Sequence, residues 1–330
     1  MPIRIESTCR SMTHTISMRI SPVIALAMIQ RLLASEPNCG SSSLDPFEGR
    51  IVGGVEVSPH EFPWLVRLYK KGEFECGSTL IADRYLVTAA SCLINNVESS
   101  LQGKDSKELT LIQFEKIPAK DFQVQLGVHE TNESEPLTRQ IESYVIHPQF
   151  NIYTIAGKGF TVNDIAILKI APTNFNYYYL PICLPTSGRI LPNSIELIMA
   201  GWGNQNKDDP NRFTTIPMKA SFRKLTTSQC LRNQDVGEFA NAADQLGLLQ
   251  TFCTLSYLSS TCRGDVGGPV FIYTYNGFEL AGILSASSGC GAPNFCTQVS
   301  MYIPFITDHT ADGVFLPRKE SPIHKQTTLF

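Results

Sequence analysis

Residues 264–269 read GDVGGP, a short stretch with glycine at three of its six positions, and the apolar run 270–273 (VFIY) follows it directly. Glycine lets the backbone turn sharply and approach neighbouring chain closely. The apolar run is typical of a short buried strand that begins where the turn ends. This motif by itself is weak evidence for any family. The assignment of the fold therefore depends on the motifs in the rest of the sequence.

Outward from this motif, the apolar residues form many short runs bounded by Gly, Pro, Asn or Ser, and long helical periodicities are few. This pattern indicates an all-β chain of the antiparallel barrel or sandwich class. The clearest predicted strands are residues 64–69, 122–126, 165–168, 195–199, 270–273 and 281–284.

The composition excludes several classes of protein. The 330-residue chain is 43% apolar and 17% charged, whereas a disordered chain lacks the apolar surface to offset its ordering entropy. The formal net charge is −3 and the sequence has no stripe of Lys and Arg, so the electrostatic footprint of nucleic-acid binding and a polybasic membrane anchor are both missing. We therefore expect no nucleic-acid partner.

From residue 50 to about residue 310, a series of motifs follows the order and spacing of one enzyme family. The motifs are RIVGG at 50–54, FPW at 62–64, CGSTLI at 76–81, VTAA at 87–90, NDIA at 163–166, GWG at 201–203 and GDVGGP at 264–269. In these motifs the chain resembles the trypsin-like (chymotrypsin-fold) serine proteases. The resemblance implies two packed six-stranded antiparallel β-barrels with a cleft between them, and a short C-terminal helix.

Four segments are predicted along the chain. Residues 1–35 resemble a secretory presequence with a cationic start, an apolar centre and small residues at its end, and translation starting at Met18 is compatible with it; a buried amphipathic helix is the alternative. Residues 36–50 form an N-terminal arm, and residues 51–310 form the protease-like domain. Residues 311–330 are a tail whose lack of periodicity predicts disorder. No later stretch is long enough to span a membrane, so we expect a secreted, extracellular protein.

The resemblance implies the three positions of a catalytic triad, and two of them hold residues other than the family's. Ser91 stands where the family has its histidine base, Val266 stands where it has its nucleophilic serine, and Asp164 is retained. Ser91 has no basic nitrogen and Val266 has no oxygen, so neither supplies the proton transfer or the attack that hydrolysis needs. Loss of such a triad costs about a million-fold in rate, so we expect no enzyme activity. Asp164 is then a buried, hydrogen-bonded acid, and the backbone N–H groups of Gly264 and Val266 are what remains of the oxyanion hole.

The substrate pocket implied by the resemblance is also altered. Ser260 stands at its base, where an acid would select Arg or Lys. Ser287 and Asn294 stand at wall positions where glycine lets a long side chain enter, so we expect their side chains to obstruct an Arg or Lys substrate. The alternative is that these loops have repacked without any binding role.

Cysteine usage agrees with secretion. Nine of the ten cysteines follow the presequence at long intervals without paired C-x-x-C spacing, which favours disulfides over a metal site. The resemblance implies the pairs Cys39–Cys183, Cys76–Cys92, Cys230–Cys253 and Cys262–Cys290. Cys296 is left over, either as a buried inert thiol or as one half of a disulfide to a partner chain.

Two surface features complete the predicted sites. Asn132 begins an Asn-Glu-Ser sequon, so we expect a glycosylation site there. His129, Glu130, Glu133 and Glu135 lie in a loop where some members of the family bind calcium, but polar residues in a turn are more often simply solvated. We predict no metal and no cofactor.

A cleavage switch is the last implication of the resemblance. Arg50 precedes Ile51, at the place where this family is cut by an upstream enzyme, and the new ammonium group of Ile51 would pair with the carboxylate of Asp265. Because Val266 is inert, such a switch has only a conformational output, which would complete a protein-binding surface. The alternative is that Arg50 and Asp265 are inherited residues without a present role.

These observations predict a secreted, non-catalytic serine protease homologue that acts as a binding or regulatory protein, a cofactor or decoy, in an extracellular proteolytic cascade of invertebrate immunity or development. Its expected partners are extracellular proteins, either proteases or their substrates. Two other hypotheses remain: a serine-type endopeptidase with a substitute mechanism, and a relic without function.

Overall fold

A computed structural model describes residues 37–43, 54–95, 110–131, 136–155, 158–204, 212–231, 250–256, 264–287 and 294–319. All of them belong to one of two units of the chain, Pro37–Phe330; the other unit, Met1–Glu36, lies outside the described residues. None of the helices in the described part of the chain is long and apolar enough to cross a membrane.

Short β-strands make up most of the described chain. In chain order they are β1 (Val55–Glu56), β2 (Leu65–Lys70), β3 (Glu73–Ala82), β4 (Tyr85–Thr88), β5 (Ile94–Asn95), β6 (Thr110–Ile112), β7 (Glu115–Lys116), β8 (Phe122–Leu126), β9 (Leu137–Gln140), β10 (Ser143–Ile146), β11 (Asn151–Ile155), β12 (Lys158–Val162), β13 (Ala166–Lys169), β14 (Glu196–Gly201), β15 (Met218–Lys224), β16 (Thr251–Leu255), β17 (Pro269–Thr274), β18 (Gly277–Ser287) and β19 (Asn294–Gln298). The helices are α1 (Thr227–Leu231), α2 (Ile303–His309) and the 3₁₀ turns Ala90–Leu93, Ala119–Asp121 and Val299–Tyr302.

The first large sheet is antiparallel and curled, with strand order β10-β13-β4-β3-β2-β8-β9. Its two edge strands, β9 and β10, are consecutive in the chain. Between them the N–H of Ile141 donates to the Phe122 carbonyl at 3.2 Å and the N–H of Glu142 donates to the Lys169 carbonyl at 2.9 Å. The chain therefore crosses from one edge of the curled sheet to the other over two residues.

The second large sheet closes into a barrel. Its order is β1-β15-β14-β17-β18-β19-β16, and an additional pairing of β15 with β16 joins six of the strands in a ring. Inside this barrel, alternating side chains of the strands form a hydrophobic core of its own, which includes Leu197, Phe222 and Val270. Burial of alternating apolar residues fixes the register, since a shift by one residue would turn every one of them outward.

The predicted trypsin-like, all-β fold and the short C-terminal helix, α2, are confirmed. Of the two six-stranded barrels that the resemblance implies, one is closed, whereas the other is a curled seven-stranded sheet whose edge strands do not pair among the described residues. Each of the six predicted strands overlaps a strand of the structure. The apolar run after GDVGGP is β17, which pairs with β14 on one side and β18 on the other.

The interpretation of the tail as disordered is wrong for residues 311–319. Asp83 and Val314 exchange two hydrogen bonds: the Asp83 N–H donates to the Val314 carbonyl at 3.1 Å, and the Val314 N–H donates to Asp83 Oδ1 at 2.7 Å. Further along, the Cys39 N–H donates to the Pro317 carbonyl at 3.0 Å. Polar contacts rather than a periodic apolar face hold this segment, so hydropathy patterning could not reveal it. Residues 320–330 lie outside the described part.

Disulfides tie distant parts of the described chain together. The structure contains Cys39–Cys183, Cys76–Cys92 and Cys230–Cys253, the same pairs that the resemblance implies. The fourth expected pair, Cys262–Cys290, lies outside the described residues. Cys296 is a buried free thiol on β19, and burial raises its pKa well above the usual range of a cysteine, so it stays protonated and unreactive at neutral pH.

Candidate functional site

Asp164 lies in the short connection between β12 and β13, where Asn163 sets the turn. Asn163 adopts a left-handed backbone conformation with φ 51°, which asparagine tolerates better than most residues. Its amide donates to the Gln149 carbonyl at 2.8 Å, and its side-chain oxygen accepts a hydrogen bond from the Tyr302 hydroxyl at 2.9 Å. The turn is therefore fixed on both sides, and it directs a fully buried Asp164 side chain toward the interior.

Four hydrogen bonds are donated to the Asp164 carboxylate. The backbone N–H of Ser91 donates to Oδ1 at 2.8 Å and the Ser91 hydroxyl donates to Oδ2 at 2.9 Å. The hydroxyls of Ser285 and Thr161 donate to Oδ2 at 2.6 and 3.0 Å. Burial raises the pKa of the Asp164 carboxyl, and these hydrogen bonds oppose that rise. All four donors are neutral, so no cation faces the acid among them.

Ser91 belongs to the 3₁₀ turn Ala90–Leu93, which directly follows β4, and it is half-buried. Its hydroxyl is used as a donor to a carboxylate. A serine hydroxyl has no basic nitrogen and cannot hold a proton in exchange with a nucleophile near neutral pH. The arrangement satisfies the buried acid, but it supplies no proton shuttle at this position.

Val266 sits in a tightly bonded loop. Its carbonyl accepts the Gly77 N–H at 2.8 Å, and the Gly267 N–H donates to the Leu284 carbonyl at 2.7 Å. A side chain at Gly77 would lie 2.7 Å from the Cα atom of Gly268, so the loop can approach β3 only because Gly77 has none. The half-buried Val266 side chain packs against the larger hydrophobic core, which contains residues of both large sheets.

The loop that contains Val266 packs against the disulfide Cys76–Cys92, which lies next to Ser91 in the chain. The Sγ atom of Cys92 is 3.8 Å from the Val266 carbonyl oxygen. The structure thus brings the segments of Ser91, Asp164 and Val266 to one place, as the resemblance implies. Gly264 and Gly267 have φ values of 93° and 80°, a region that residues with a Cβ atom rarely adopt, so the loop shape depends on glycine at both positions.

Sequence reasoning missed two members of this cluster, Thr161 and Ser285. Thr161 is on β12 and Ser285 is on β18, and their hydroxyls lie 2.8 Å apart. A third hydroxyl, that of Thr297, donates to the backbone carbonyl of Asp164 at 2.9 Å. Nothing in the local sequence distinguishes these hydroxyls from others on strands, because only the packing of distant strands brings them to Asp164.

The two predicted wall residues of the substrate pocket belong to neighbouring strands. Ser287 of β18 is opposite Asn294 of β19 in the sheet register, and Asn294 is buried. Ser260, the predicted base of the pocket, lies outside the described residues. Obstruction of the pocket stays a prediction.

Asp265 is among the residues that the structure describes, whereas the predicted cleavage site is not. The N–H of Gly203 donates to Asp265 Oδ1 at 2.9 Å. A Cβ atom at Gly203 would lie 2.1 Å from the carboxylate and one at Gly201 would lie 2.7 Å from it, so the two glycines create the space that the acid occupies. Arg50 and Ile51 lie outside the described residues, and so does the sequon residue Asn132.

The described histidines contact aromatic rings. His147 packs 5.2 Å from the ring of Tyr302 and 4.8 Å from that of Phe305, and burial lowers its pKa. His60 lies 4.6 Å from the ring of Tyr178. In the part of the chain that the structure describes, no three or more His, Cys, Asp or Glu side chains are grouped to hold a metal ion.

Two packed sheets of this order, with these three segments meeting on a disulfide, define a serine protease scaffold. The sequence model of the Trypsin family matches residues 51–306, and the chain belongs to this family.

Three relatives align with most of this chain at moderate sequence identity. Melanization protease 1 of Drosophila melanogaster is 30% identical over 300 residues, which cover 84% of this chain and 69% of the relative. Phenoloxidase-activating enzyme 1 of Spodoptera litura is 28% identical over 300 residues, covering 85% and 71%. Ovochymase-2 of Mus musculus is 29% identical over 311 residues, which cover 84% of this chain but only 44% of that protein. The chain thus spans less than half of Ovochymase-2 and about seven tenths of the two insect proteins.

Proposed function

We propose that this chain is a non-catalytic serine protease homologue that acts as a binding or regulatory protein in an extracellular proteolytic cascade. The observation that carries the proposal is the bond from the Ser91 hydroxyl to Asp164 Oδ2, at 2.9 Å. A hydroxyl takes the place in which hydrolysis requires an imidazole, and the acid behind it is already satisfied by neutral donors. Val266 supplies no nucleophile.

The size of the expected loss supports this proposal. Removing the triad from a serine protease costs about a million-fold in rate, on the order of 8 kcal/mol of transition-state stabilisation. Substrate binding and an oxyanion hole leave only about 10³- to 10⁴-fold over water. A chain with Ser91 and Val266 would retain at most that residual effect, which is too small for a working peptidase.

The cascade role draws on the relatives and on the cysteines. Two relatives are named for melanization and for phenoloxidase activation, so an immune cascade of an invertebrate is the setting that we propose. Three disulfides in the described residues fit an oxidising, extracellular compartment. The expected partners are proteases of the cascade or their substrates, bound on the surface that an active member would use for substrate.

We further propose that cleavage after Arg50 changes the shape of this surface. The carboxylate of Asp265 lies in the same loop as Val266, and that loop is hydrogen-bonded to β3 and β18. A new ammonium group at Ile51 would have Asp265 as its partner. A buried ion pair persists only where packing and hydrogen bonds compensate its desolvation, so its formation would order the loop and the segments beside it.

Two measurements test these two parts separately. Turnover of a peptide library by the chain cut after Arg50 tests the non-catalytic part, and we expect none above background. Hydrogen exchange of residues 264–268, compared before and after cutting, tests the switch. We expect stronger protection after cutting in the natural chain and no change in an Asp265→Asn variant. Equal protection in cut and uncut natural chain would show that the cleavage site is a relic.

A further inference from the structure

Two described segments that lie outside the range matched by the family model contact each other. They are residues 37–43 of the N-terminal arm and residues 311–319 near the C-terminus, which we call the strap. The N–H of Cys39 in the arm donates to the carbonyl of Pro317 in the strap at 3.0 Å. The matched domain, residues 51–306, therefore does not by itself account for how the arm is held.

The C-terminal half of the strap is anchored on a buried carboxylate. Glu279 of β18 is 1% exposed, and its two oxygens each pair with an arginine: Arg318 Nη1 lies 2.8 Å from Oε2 and Arg189 Nη1 lies 2.5 Å from Oε1. Arg318 also donates to the carbonyl of Leu184. A buried carboxylate is costly unless it is paired, so Glu279 holds Arg318, and with it the strap, in place.

The N-terminal half of the strap is anchored on the first sheet. The Asp312 carboxylate accepts hydrogen bonds from Lys169 Nζ at 2.8 Å and from the Tyr85 hydroxyl. Two residues further along, Val314 makes its two hydrogen bonds with Asp83. The strap is therefore fixed at both of its ends, with the contact to the arm between the two arginine and aspartate anchors.

The arm itself packs closely on β18. The Gly40 N–H donates to the Pro181 carbonyl at 2.8 Å, and the Gly40 carbonyl accepts the Phe278 N–H at 2.9 Å. A Cβ atom at Gly40 would lie 2.1 Å from the Phe278 carbonyl oxygen, so this approach requires glycine. Cys39 and Cys183 are only 5% and 3% exposed. A reductant can therefore reach their disulfide only when the arm or the strap moves.

We propose that the strap is a second, noncovalent lock on the arm: it keeps the arm bound to the domain when Cys39–Cys183 is broken, and it limits access to that disulfide while the bond is intact. Release of the lock requires Arg318 to leave Glu279. The inference goes beyond the proposed function and does not depend on it, because it concerns the uncut chain. It makes the arm a permanent part of the folded domain.

The test is the rate at which a thiol reductant opens Cys39–Cys183 in the full, uncut chain, followed by alkylation and mass spectrometry. We expect Arg318→Met to speed this reaction about tenfold or more, because the closed form loses a hydrogen bond between charged groups. Cys76–Cys92 is the internal reference, and its rate should change by less than about twofold. Equal acceleration of both disulfides, or no acceleration of Cys39–Cys183, would overturn the proposal.

A matched control and a second variant make this test specific for the strap. Arg139→Met should leave both rates unchanged, since Arg139 lies on β9 at an edge of the first sheet and donates to the carbonyl of its neighbour Thr138 at 3.2 Å. A chain that ends at Leu316 lacks both Pro317 and Arg318. It should show the acceleration expected of Arg318→Met, and it serves if the methionine variant does not fold.

Hydrogen exchange of a disulfide-free chain tests the noncovalent lock directly. In a variant with Cys39→Ser and Cys183→Ser, the amides of Gly40 and Phe278 should stay protected, and addition of Arg318→Met should remove this protection. Free exchange of both amides in the disulfide-free chain with Arg318 in place would show that the disulfide alone holds the arm, and the proposal would fail.

Discussion

Ser91 binds both oxygens of the Asp164 carboxylate: its backbone N–H donates to Oδ1 at 2.8 Å and its hydroxyl donates to Oδ2 at 2.9 Å. Asp164 is fully buried, and a buried acid without hydrogen-bond donors would be costly. Together with the hydroxyls of Thr161 and Ser285, Ser91 therefore forms a cluster of neutral donors around the buried carboxylate.

Removing the Ser91 hydroxyl should therefore destabilise the fold. We expect Ser91→Ala to lower the free energy of unfolding by about 1 to 3 kcal/mol, because one donor to a buried carboxylate is lost while the backbone N–H remains. Denaturant titration measures the change. Thr138→Ala is the matched control, since Thr138 is exposed and its hydroxyl makes only a 3.5 Å contact with the Pro136 carbonyl; it should change stability by less than about 0.5 kcal/mol. Equal effects of the two variants would contradict the role of Ser91.

Reintroducing catalytic residues should recover little. Val266→Ser alone should leave hydrolysis at background, because the new serine has no base. Adding Ser91→His supplies a base, but the predicted obstruction by Asn294 would misplace the substrate, and a 1 Å misplacement costs about a hundredfold. We expect the double variant to stay at least that far below an active family member. Full activity of Val266→Ser by itself would show that another base serves this site.

The arm should remain attached after cleavage. Cys39 and Cys183 are joined across a sequence separation of 144 residues, so a cut after Arg50 does not separate the two parts. On a denaturing gel the cut protein should migrate as one species without reductant and as two with it. Cys39→Ser, the matched control, should release the arm in both conditions. Release of the arm from the natural chain without reductant would show that this disulfide does not form.

Stability should depend on Asp312 only above acidic pH. Hydrogen bonds from Lys169 and Tyr85 hold the pKa of Asp312 at about 2, below its ordinary value. A carboxyl with a lowered pKa in the folded state stabilises the fold above its unfolded pKa, and this contribution is lost as pH falls through the folded pKa. The difference in stability between the natural chain and Asp312→Asn should be constant near neutral pH and shrink from about pH 4 toward pH 2. A difference that persists unchanged at pH 2 would rule out this contribution.

The ordered motifs of the sequence predicted most of the fold and the place where Ser91, Asp164 and Val266 meet, because strand registers and short bonded turns position these motifs. Thr161 and Ser285 could not be predicted, since their contact with Asp164 depends on the meeting of β12 and β18. The prediction of disorder was wrong for residues 311–319, because main-chain hydrogen bonds hold this segment in place and composition does not reveal them.

We propose that no nucleophile in this chain is activated for peptide hydrolysis. The most direct measurement is the stoichiometry of covalent labelling by an active-site phosphonate, with the chain cut after Arg50 and an active trypsin-family protease as the positive control. We expect no labelling of the cut chain under conditions in which the control is labelled completely. Labelling that approaches one probe per chain would contradict it, and loss of that label in Ser91→Ala would identify Ser91 as the nucleophile.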